Sequence, residues 1–353
     1  MNKKAVISRE IYADFLRAFC IFLVLIIHTT ANYFYTSYGT TDFKILLVIS
    51  IIASCAVPIF YMLSGTFLIN KKNDNYKFFY KKILKIFFQT ILWTIIYLFI
   101  FKFILSHDLN LKVSILKSFF TEQVSHLWYM YPLIGLYILT PFIVKLYYSL
   151  SDNEKKIIIF LTLIFPAILC TLQIKFWDII SIPKFAVFFP ELGLFISGKY
   201  LYDNRDKLKK LKTCLLAILG IMLSVISIYI MCNIFINNHG ISNAKQFLDA
   251  NKIPNILLIY SIYILFVNLS DCFLRLPQFI KRIISKIGQN SGGIYFSHMI
   301  FVELIPSISI FGLKFTQNLG SLYNMLLGAV LYFTLTVICV FILKKVPILN
   351  KLL

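Results

Sequence analysis

The first apolar segment of the chain carries three ionisable side chains that a bilayer-spanning helix rarely contains. Asp14, Arg17 and His28 all lie in the run IYADFLRAFCIFLVLIIHTT. In an α-helix, Arg17 and His28 would point within about 20° of each other and lie about 16 Å apart along the axis, with Asp14 on nearly the same face. Because ionisable groups inside a membrane are costly and mark functional sites, this stripe predicts a shared polar cavity.

These residue types fit proton transfer beside a bound anion. An imidazole with an ordinary pKa is largely neutral near pH 7, so a histidine at position 28 is of the right type to accept a proton as a general base. The guanidinium of Arg17 is a positive group that can hold the charged part of an anionic ligand. Two simpler explanations stay open: Arg17 extends to the headgroups with Asp14 as its partner, and His28 is a satisfied polar residue near the outer interface.

The composition of the chain explains what must position these residues. Of 353 residues, 59% are hydrophobic and 14% are charged, and the mean hydropathy is +0.81. Soluble domains carry about 25% charged residues, so this chain cannot cover a water-facing surface. A soluble enzyme, a secreted disulfide scaffold and a disordered tail are therefore excluded.

Apolar runs long enough to span a bilayer recur along the chain. They predict an all-α polytopic membrane protein of about ten transmembrane helices, at 12–32, 45–69, 86–105, 127–147, 157–174, 185–202, 213–236, 253–270, 291–311 and 321–343. The longest breaks, near 70–85, 106–125 and 237–252, are predicted to be loops. Residues 1–353 therefore form a single membrane domain, with no separate soluble domain.

The basic residues give this topology an orientation. With ten alternating spans, 25 of the 35 Lys and Arg residues fall on the side of the two termini and 8 on the other, while Arg17 and Lys102 lie within spans. The positive-inside rule then places both termini in the cytoplasm. The net charge of +20 would suggest nucleic acid on a soluble protein, but here it is explained by topology, and no nucleic-acid partner is expected.

Five segments resemble, in order, acyltransferase family 3, whose members are integral membrane acyltransferases that modify cell-surface glycans. Arg17 and His28 after Asp14 match the first-helix signature. The other segments are PIFYMLSGTFL (58–68), HLWYMYPLIGLYILTPFI (126–143), ELGLFISGKYL (191–201) and IGQNSGGIYFSHMI (287–300). One feature departs from the family: the basic pair after the second segment is Lys82 and Lys85, where arginine is expected. Lysine would weaken a bidentate grip on phosphate.

The resemblance implies a reaction and a set of site residues. An acyl group, most simply acetyl, would pass from cytosolic acyl-CoA to a hydroxyl of a cell-surface or lipid-linked glycan, with no metal. His28 would be the general base, supported by Arg17 and Asp14, and the donor would be held by Arg17, Lys82 and Lys85. The residues implied for substrate binding are His126, Trp128, Tyr129, Glu191, Tyr295 and His298.

The resemblance also implies a location, and it leaves alternatives open. The expected setting is the plasma membrane of a bacterium, with the lipid bilayer and a glycan acceptor as partners. A transporter or exporter of a glycan or small polar solute is the alternative function, because polar residues at midplane suit a transporter equally well. The acceptor sugar, the acyl group, an acyl-enzyme relay, the oligomeric state and a partner in surface-glycan synthesis are not determined by the sequence.

Small residues provide one further structural expectation. Ser64-Gly65 and Gly292-Gly293 fall within matched segments and are predicted to mark close contacts between helices, because glycine lets two helix backbones approach.

Overall fold

A computed structural model describes residues 10–70, 76–107, 110–118, 121, 123–175, 190–241, 247–249, 251–307, 309–310, 313–314 and 321–347. The chain is helical almost throughout. Its helices are α1 (Ile11–Thr36), α2 (Thr41–Ala53), α3 (Ala56–Leu68), α4 (Tyr76–Phe99), α5 (Leu111–Lys117), α6 (Met130–Ser149), α7 (Asp152–Ile159), α8 (Phe165–Lys175), α9 (Pro190–Asp203), α10 (Arg205–Leu208), α11 (Leu211–His239), α12 (Ile253–Asn268), α13 (Ser270–Arg275), α14 (Gln278–Gln289), α15 (Ser291–Ser307) and α16 (Leu322–Leu343).

Short irregular elements complete the described chain. π-helical turns at Ile100–Ile104 and Phe160–Ile164 extend α4 and join α7 to α8, and a 3-10 turn at Ser125–Leu127 precedes α6. Strands β1 (Ser309–Ile310) and β2 (Leu313–Lys314) form a minimal antiparallel pair, with Ser309 opposite Lys314.

Seven helical segments within the described residues are long and apolar enough to cross a membrane. They are Ile11–Thr36, Thr41–Leu68, Phe79–Ile104, Ser125–Ser149, Asp152–Leu172, Leu211–Asn238 and Leu322–Leu343, and Ile253–Asn268 and Ser291–Ile305 are shorter apolar helices. Together with α9, these segments coincide with the ten predicted spans. The prediction of an all-α polytopic membrane protein is confirmed, while the count of ten, the cytoplasmic termini and the single domain remain predictions.

Two of the predicted loops are partly helical. The break near 70–85 contains the start of α4 at Tyr76, and the break near 106–125 contains α5. Helix α5 begins where the side chain of Asn110 accepts a hydrogen bond from the backbone N–H of Val113. A polar cap of this kind stabilises a short helix at a position where hydropathy predicts only a break.

Helix α1 lies at the centre of the bundle and contacts α2, α3, α12, α14, α15 and α16. At one end, the carboxylate of Asp42 accepts hydrogen bonds from the hydroxyl of Tyr33 at 2.6 Å and from the N–H of Leu322 at 2.9 Å. Toward the other end, the hydroxyl of Tyr263 lies 3.3 Å from that of Tyr12 and 3.1 Å from that of Thr66. These bonds, of which those of Tyr263 are buried, fix the position of α1, and therefore of its charged stripe, among its neighbours.

Helices α3 and α9 cross at very short distance because each presents a glycine to the other. A Cβ atom on Gly65 would collide with the carbonyl oxygen of Phe195, and one on Gly198 would collide with that of Met62. Ser64-Gly65 is thus a close helix contact, as predicted. The corresponding prediction for Gly292 is wrong, because its Cβ position has open space and the residue lines a cavity instead.

Candidate active site

Asp14 and Arg17 lie together near the start of α1. The carboxylate of Asp14 is buried, with 2% of its side chain exposed, and accepts a hydrogen bond from a guanidinium nitrogen of Arg17 at 3.4 Å. The guanidinium also lies 4.7 Å above the ring of Phe67. Helix α14 packs directly against this turn, since a Cβ on Gly288 would meet the backbone of Asp14. The charge of Arg17 is therefore held in place on several sides.

Arg17 lines a cavity of about 290 Å³, which we call the inner cavity because the predicted topology puts it on the cytoplasmic side. Its lining combines aromatic rings, including those of Phe67, Tyr129 and Tyr137, with the polar groups of Ser64 and Gln89. Arg17 is the single charged residue among the described lining residues. The cavity is lined mainly by aromatic and aliphatic side chains and contains one fixed cation among its described lining residues, which suits a molecule that carries negative charge.

Lys82 and Lys85 do not line this cavity. Helix α4 contributes Ile86 and Gln89 to the lining, and Lys82 precedes them by one and two turns on the same face. Lys82 is half-buried and Lys85 is exposed. The two lysines thus belong to the helix that contributes Ile86 and Gln89, but neither is among the described lining residues.

His28 faces a different, outer cavity of about 570 Å³. Its described lining contains the carboxylates of Glu191 and Asp249, the amide of Asn251 and the indole of Trp128, and it contains no lysine or arginine. The one shared cavity predicted from the stripe is therefore replaced by two, one at each end of the same helix face.

Trp128 and Glu191 give the outer cavity an aromatic face and a carboxylate. The side chain of Trp128 follows the turn before α6 and remains 43% exposed, so its indole face is available to a ligand. Glu191 lies half-buried in the first turn of α9. At a helix N-terminus, a carboxylate is favoured by the unpaired backbone N–H groups.

At the rim of the outer cavity, Asn251 accepts a hydrogen bond from the ammonium of the neighbouring Lys252 at 3.0 Å. Lys252 is only 6% exposed, and burial lowers the pKa of its ammonium group. This bond holds the amide of Asn251 at the cavity wall.

Behind His28, two further histidines complete a buried cluster. The ring centroids of His28 and His298 are 5.1 Å apart, those of His28 and His126 are 6.2 Å apart, and those of His126 and His298 are 5.5 Å apart. His126 is 3% exposed and His298 is fully buried. Neither is among the described lining residues of the two cavities, and the structure places both next to His28, while their predicted role in substrate binding remains a prediction.

Tyr295 connects these parts of the site. Its side chain lines both cavities, its hydroxyl donates to the backbone carbonyl of His126, and its own carbonyl lies 2.6 Å from Nδ1 of His298. Its ring also packs edge to face against that of Tyr129, with centroids 5.5 Å apart. Tyr295 therefore stands between the two cavities and links α15 to the start of α6.

Some site residues could not be identified from the sequence. Tyr61 lines the outer cavity, and its buried hydroxyl has no hydrogen-bond partner among the described residues. It lies in the matched segment PIFYMLSGTFL, but a tyrosine within an aromatic-rich helix gives no signal of its own. Asp249 and Asn251 lie in a predicted loop, so their approach to His28 depends on the tertiary fold. Within the described part of the chain, no group of His, Cys, Asp or Glu side chains is arranged to hold a metal ion.

Comparison with known proteins identifies the family. The sequence profile of the acyltransferase domain family Acyl_transf_3 matches residues 10–345. No curated protein and no solved structure matches the chain. The matched range contains both cavities and all the residues described above. Because the profile covers nearly the whole chain, this membrane protein belongs to the Acyl_transf_3 family of acyltransferases.

Proposed function

We propose that the protein transfers an acyl group, most simply acetyl, from cytosolic acyl-CoA to a hydroxyl of a cell-surface or lipid-linked glycan. The observation that carries this proposal is the pair of cavities at the two ends of one face of α1, with Arg17 in one and His28 in the other. The predicted topology puts the Arg17 cavity toward the cytoplasm, where acyl-CoA is found.

The inner cavity suits the donor by its charge and its aromatic lining. Acyl-CoA carries negative phosphates and a long, thin pantetheine arm. Arg17 provides a fixed cation, and Lys82 and Lys85, on the helix that contributes Ile86 and Gln89, would provide further positive charge, with lysine acting as a point charge on phosphate. The arm would extend along the aromatic lining toward Tyr295, so that the thioester reaches the outer cavity.

The outer cavity fits a hydroxyl-bearing acceptor. Carbohydrates present ring faces that pack on aromatic side chains and hydroxyls that hydrogen-bond to carboxylates and amides. Trp128 offers an exposed indole, while Glu191, Asp249 and Asn251 supply acceptor oxygens at the cavity wall. We assign acceptor binding to this group, with Trp128 and Glu191 as its central residues.

Each atom in the transfer step has a defined destination. A ring nitrogen of His28 takes the proton from the acceptor hydroxyl as the oxygen attacks the thioester carbonyl. The resulting tetrahedral oxyanion needs a hydrogen-bond donor, and the hydroxyl of Tyr61 in the same cavity supplies one. The carbon–sulfur bond then breaks, the ester forms, and the thiolate of CoA receives the proton from the His28 imidazolium.

Direct transfer is preferred over an acyl-enzyme relay. A relay needs a nucleophile in the substrate space, activated by a neighbouring base. Cys20 and Cys55 are fully buried, and no cysteine belongs to the described lining of either cavity. Membership of an acyltransferase family likewise favours group transfer over the export of a glycan or solute.

The proposal is tested by the fate of a labelled acetyl group. Membranes containing the protein are incubated with acetyl-CoA labelled in the acetyl group, and label is measured in the extracted glycan fraction. Replacing His28 by Ala should lower transfer by roughly 10²- to 10⁴-fold, the usual contribution of a general base, with expression unchanged.

A matched histidine provides the control. His107 stacks on Phe101 with ring centroids 5.5 Å apart and lines neither cavity, so His107→Ala should retain transfer. Full activity in His28→Ala would remove the assigned base. Absence of label in every sample, together with flux of a glycan across the membrane, would instead support the exporter.

A further inference from the structure

The hydrogen bonding of His298 defines which of its ring nitrogens carries a proton. Nδ1 lies 2.6 Å from the carbonyl oxygen of Tyr295, and a carbonyl can only accept. In the neutral ring, Nδ1 therefore carries the hydrogen and Nε2 presents a lone pair. That Nε2 atom is buried and has no hydrogen-bond partner among the described residues, which is an uncommon and costly state for a buried polar atom.

Of the two histidine rings beside His298, that of His28 is the nearer, and it could donate a hydrogen bond to this lone pair. The two ring centroids are 5.1 Å apart, a separation at which two imidazole rings can form an N–H···N hydrogen bond once a nitrogen of each is turned toward the other. Hydrogen bonds between catalytic groups are often long before substrate binds and shorten in the reacting complex. His298 itself is fully buried and lines neither cavity, so it cannot contact a substrate held there.

We propose that His298 is a positioning residue for His28: its Nε2 accepts a hydrogen bond from one ring N–H of His28, so that the other, unprotonated nitrogen of His28 faces the outer cavity. This inference rests on the proposed role of His28 as general base. In the reaction, the cavity-facing nitrogen takes the acceptor's proton and later returns it to the CoA thiolate. His298 gains and loses no proton, and it holds the resulting imidazolium in place while the charge exists.

The backbone carbonyl of Tyr295 determines which nitrogen of His298 can accept a hydrogen bond. By accepting the Nδ1 hydrogen, the Tyr295 carbonyl fixes His298 in the tautomer whose Nε2 is an acceptor. The same residue lines both cavities and binds the His126 carbonyl through its hydroxyl. The substrate space and the support of the base are thus connected through one residue of α15.

Two substitutions separate the proposed role from a structural one. In His298→Gln, the side-chain oxygen can reach the position of Nε2 and accept from His28, but the bond to the Tyr295 carbonyl is lost. In His298→Asn, the amide nitrogen can reach the position of Nδ1 and keep the bond to Tyr295, but the acceptor facing His28 is lost. A positioning role predicts higher activity for His298→Gln, and a structural role predicts higher activity for His298→Asn.

The experiment measures kcat and KM for acetyl-CoA in membranes containing each variant. We expect kcat to fall roughly 10- to 100-fold in His298→Asn, the usual effect of removing one hydrogen bond to a charged group, with KM unchanged. His298→Gln should recover most of that loss. Ser297→Ala is the control on the same helix, because it removes a buried hydrogen bond to the Gly293 carbonyl in which no histidine takes part, and it should keep wild-type kcat.

The outcomes distinguish this inference from the proposed function. If His28→Ala abolishes transfer but His298→Asn is as active as or more active than His298→Gln, the positioning role is wrong and acyl transfer by His28 stands. If His28→Ala is fully active, the proposed base is wrong. A thermal-unfolding midpoint for each purified variant verifies that a loss of kcat does not come from unfolded protein. A rise in the KM for acetyl-CoA with kcat unchanged would also contradict the inference.

Discussion

The two cavities differ in charge, although the same face of α1 contributes a lining residue to each. The inner cavity, of about 290 Å³, contains one cation and no carboxylate among its described lining residues. The outer cavity, of about 570 Å³, contains two carboxylates and no cation among its own. An anionic donor is therefore attracted to one end of the helix and discouraged from the other. Under the proposed function, this difference would direct the anionic donor to the inner cavity and leave the outer cavity to the acceptor.

The second difference concerns hydrogen bonding. Arg17 is already bonded to Asp14 and packed on Phe67 in the absence of substrate. In contrast, the outer half contains buried polar atoms on Tyr61, His126 and His298 that have no partner among the described residues. Unpartnered buried groups are costly unless a ligand or a reaction intermediate uses them. We therefore place binding of the donor in the inner half and the chemistry in the outer half.

The largest expected effect within this comparison comes from Tyr61→Phe. Removal of the hydroxyl leaves the ring packed against Tyr129, whose centroid is 4.8 Å away, and removes one donor to the oxyanion. Loss of a single donor of this kind lowers kcat by roughly 10²- to 10³-fold. The initial rate of acetyl transfer at saturating acetyl-CoA measures it.

Tyr332→Phe is the matched control for Tyr61→Phe. Tyr332 is equally buried, at 3% exposure, and lines neither cavity, so its hydroxyl should not affect kcat. A kcat for Tyr61→Phe within twofold of the control would exclude Tyr61 as the donor and would weaken the assignment of the chemistry to the outer cavity.

Arg17→Gln should affect binding of the donor rather than the chemical step. Hydrogen bonds to a charged group contribute about 1.5–3 kcal/mol, which corresponds to a roughly 10- to 100-fold weaker affinity for acetyl-CoA. Calorimetry on the detergent-solubilised protein measures this affinity without any acceptor.

Asp14 requires its own variant in this experiment. Its carboxylate is 2% exposed, and removing the cation beside it destabilises a buried charge. The double substitution Asp14→Asn with Arg17→Gln removes both charges, and it should bind acetyl-CoA as weakly as Arg17→Gln alone. If the double variant regains wild-type affinity, Arg17 acts through the stability of α1 and not through the donor.

Periodicity predicts the part of the site that lies on one helix. The eleven-residue interval between Arg17 and His28 determines their directions once the segment is helical, and the structure places each in a cavity on that face. The contact between His126 and His298 joins residues far apart in sequence, and only the packing of α15 beside the start of α6 brings them together. Sequence spacing contains no such information.

The glycines illustrate the same limit. Gly65 and Gly292 both follow or precede small residues in matched segments, and both were expected at helix contacts. Gly65 lies against the backbone of Phe195, whereas Gly292 borders the inner cavity. A glycine shows where the backbone is accessible, but the neighbouring element decides whether a helix or a cavity occupies that space.

Trp128→Ala should have a smaller effect, confined to the acceptor. An exposed indole that packs on a sugar ring contributes about 1 kcal/mol, so KM for the glycan fraction should rise roughly fivefold, with KM for acetyl-CoA unchanged. Trp128→Phe keeps an aromatic face and should lie between the two. A rise in the KM for acetyl-CoA alone would contradict the separation of substrates between the cavities.

Tyr295→Phe tests the point where the cavities meet, and a matched residue makes the test quantitative. The Tyr295 hydroxyl donates to the His126 carbonyl, and the Tyr97 hydroxyl donates to the Phe296 carbonyl at 2.7 Å. Each substitution to Phe removes one buried hydrogen bond, which costs about 1–3 kcal/mol of stability because the carbonyl loses its donor. Both variants should therefore show a similar fall in thermal-unfolding midpoint.

Only Tyr295→Phe should also lower kcat, by a few fold, because Tyr97 lines neither cavity. Equal kcat in the two variants would mean that the Tyr295 hydroxyl contributes only to the stability of the fold. The part of Tyr295 that matters between the two cavities would then be its ring.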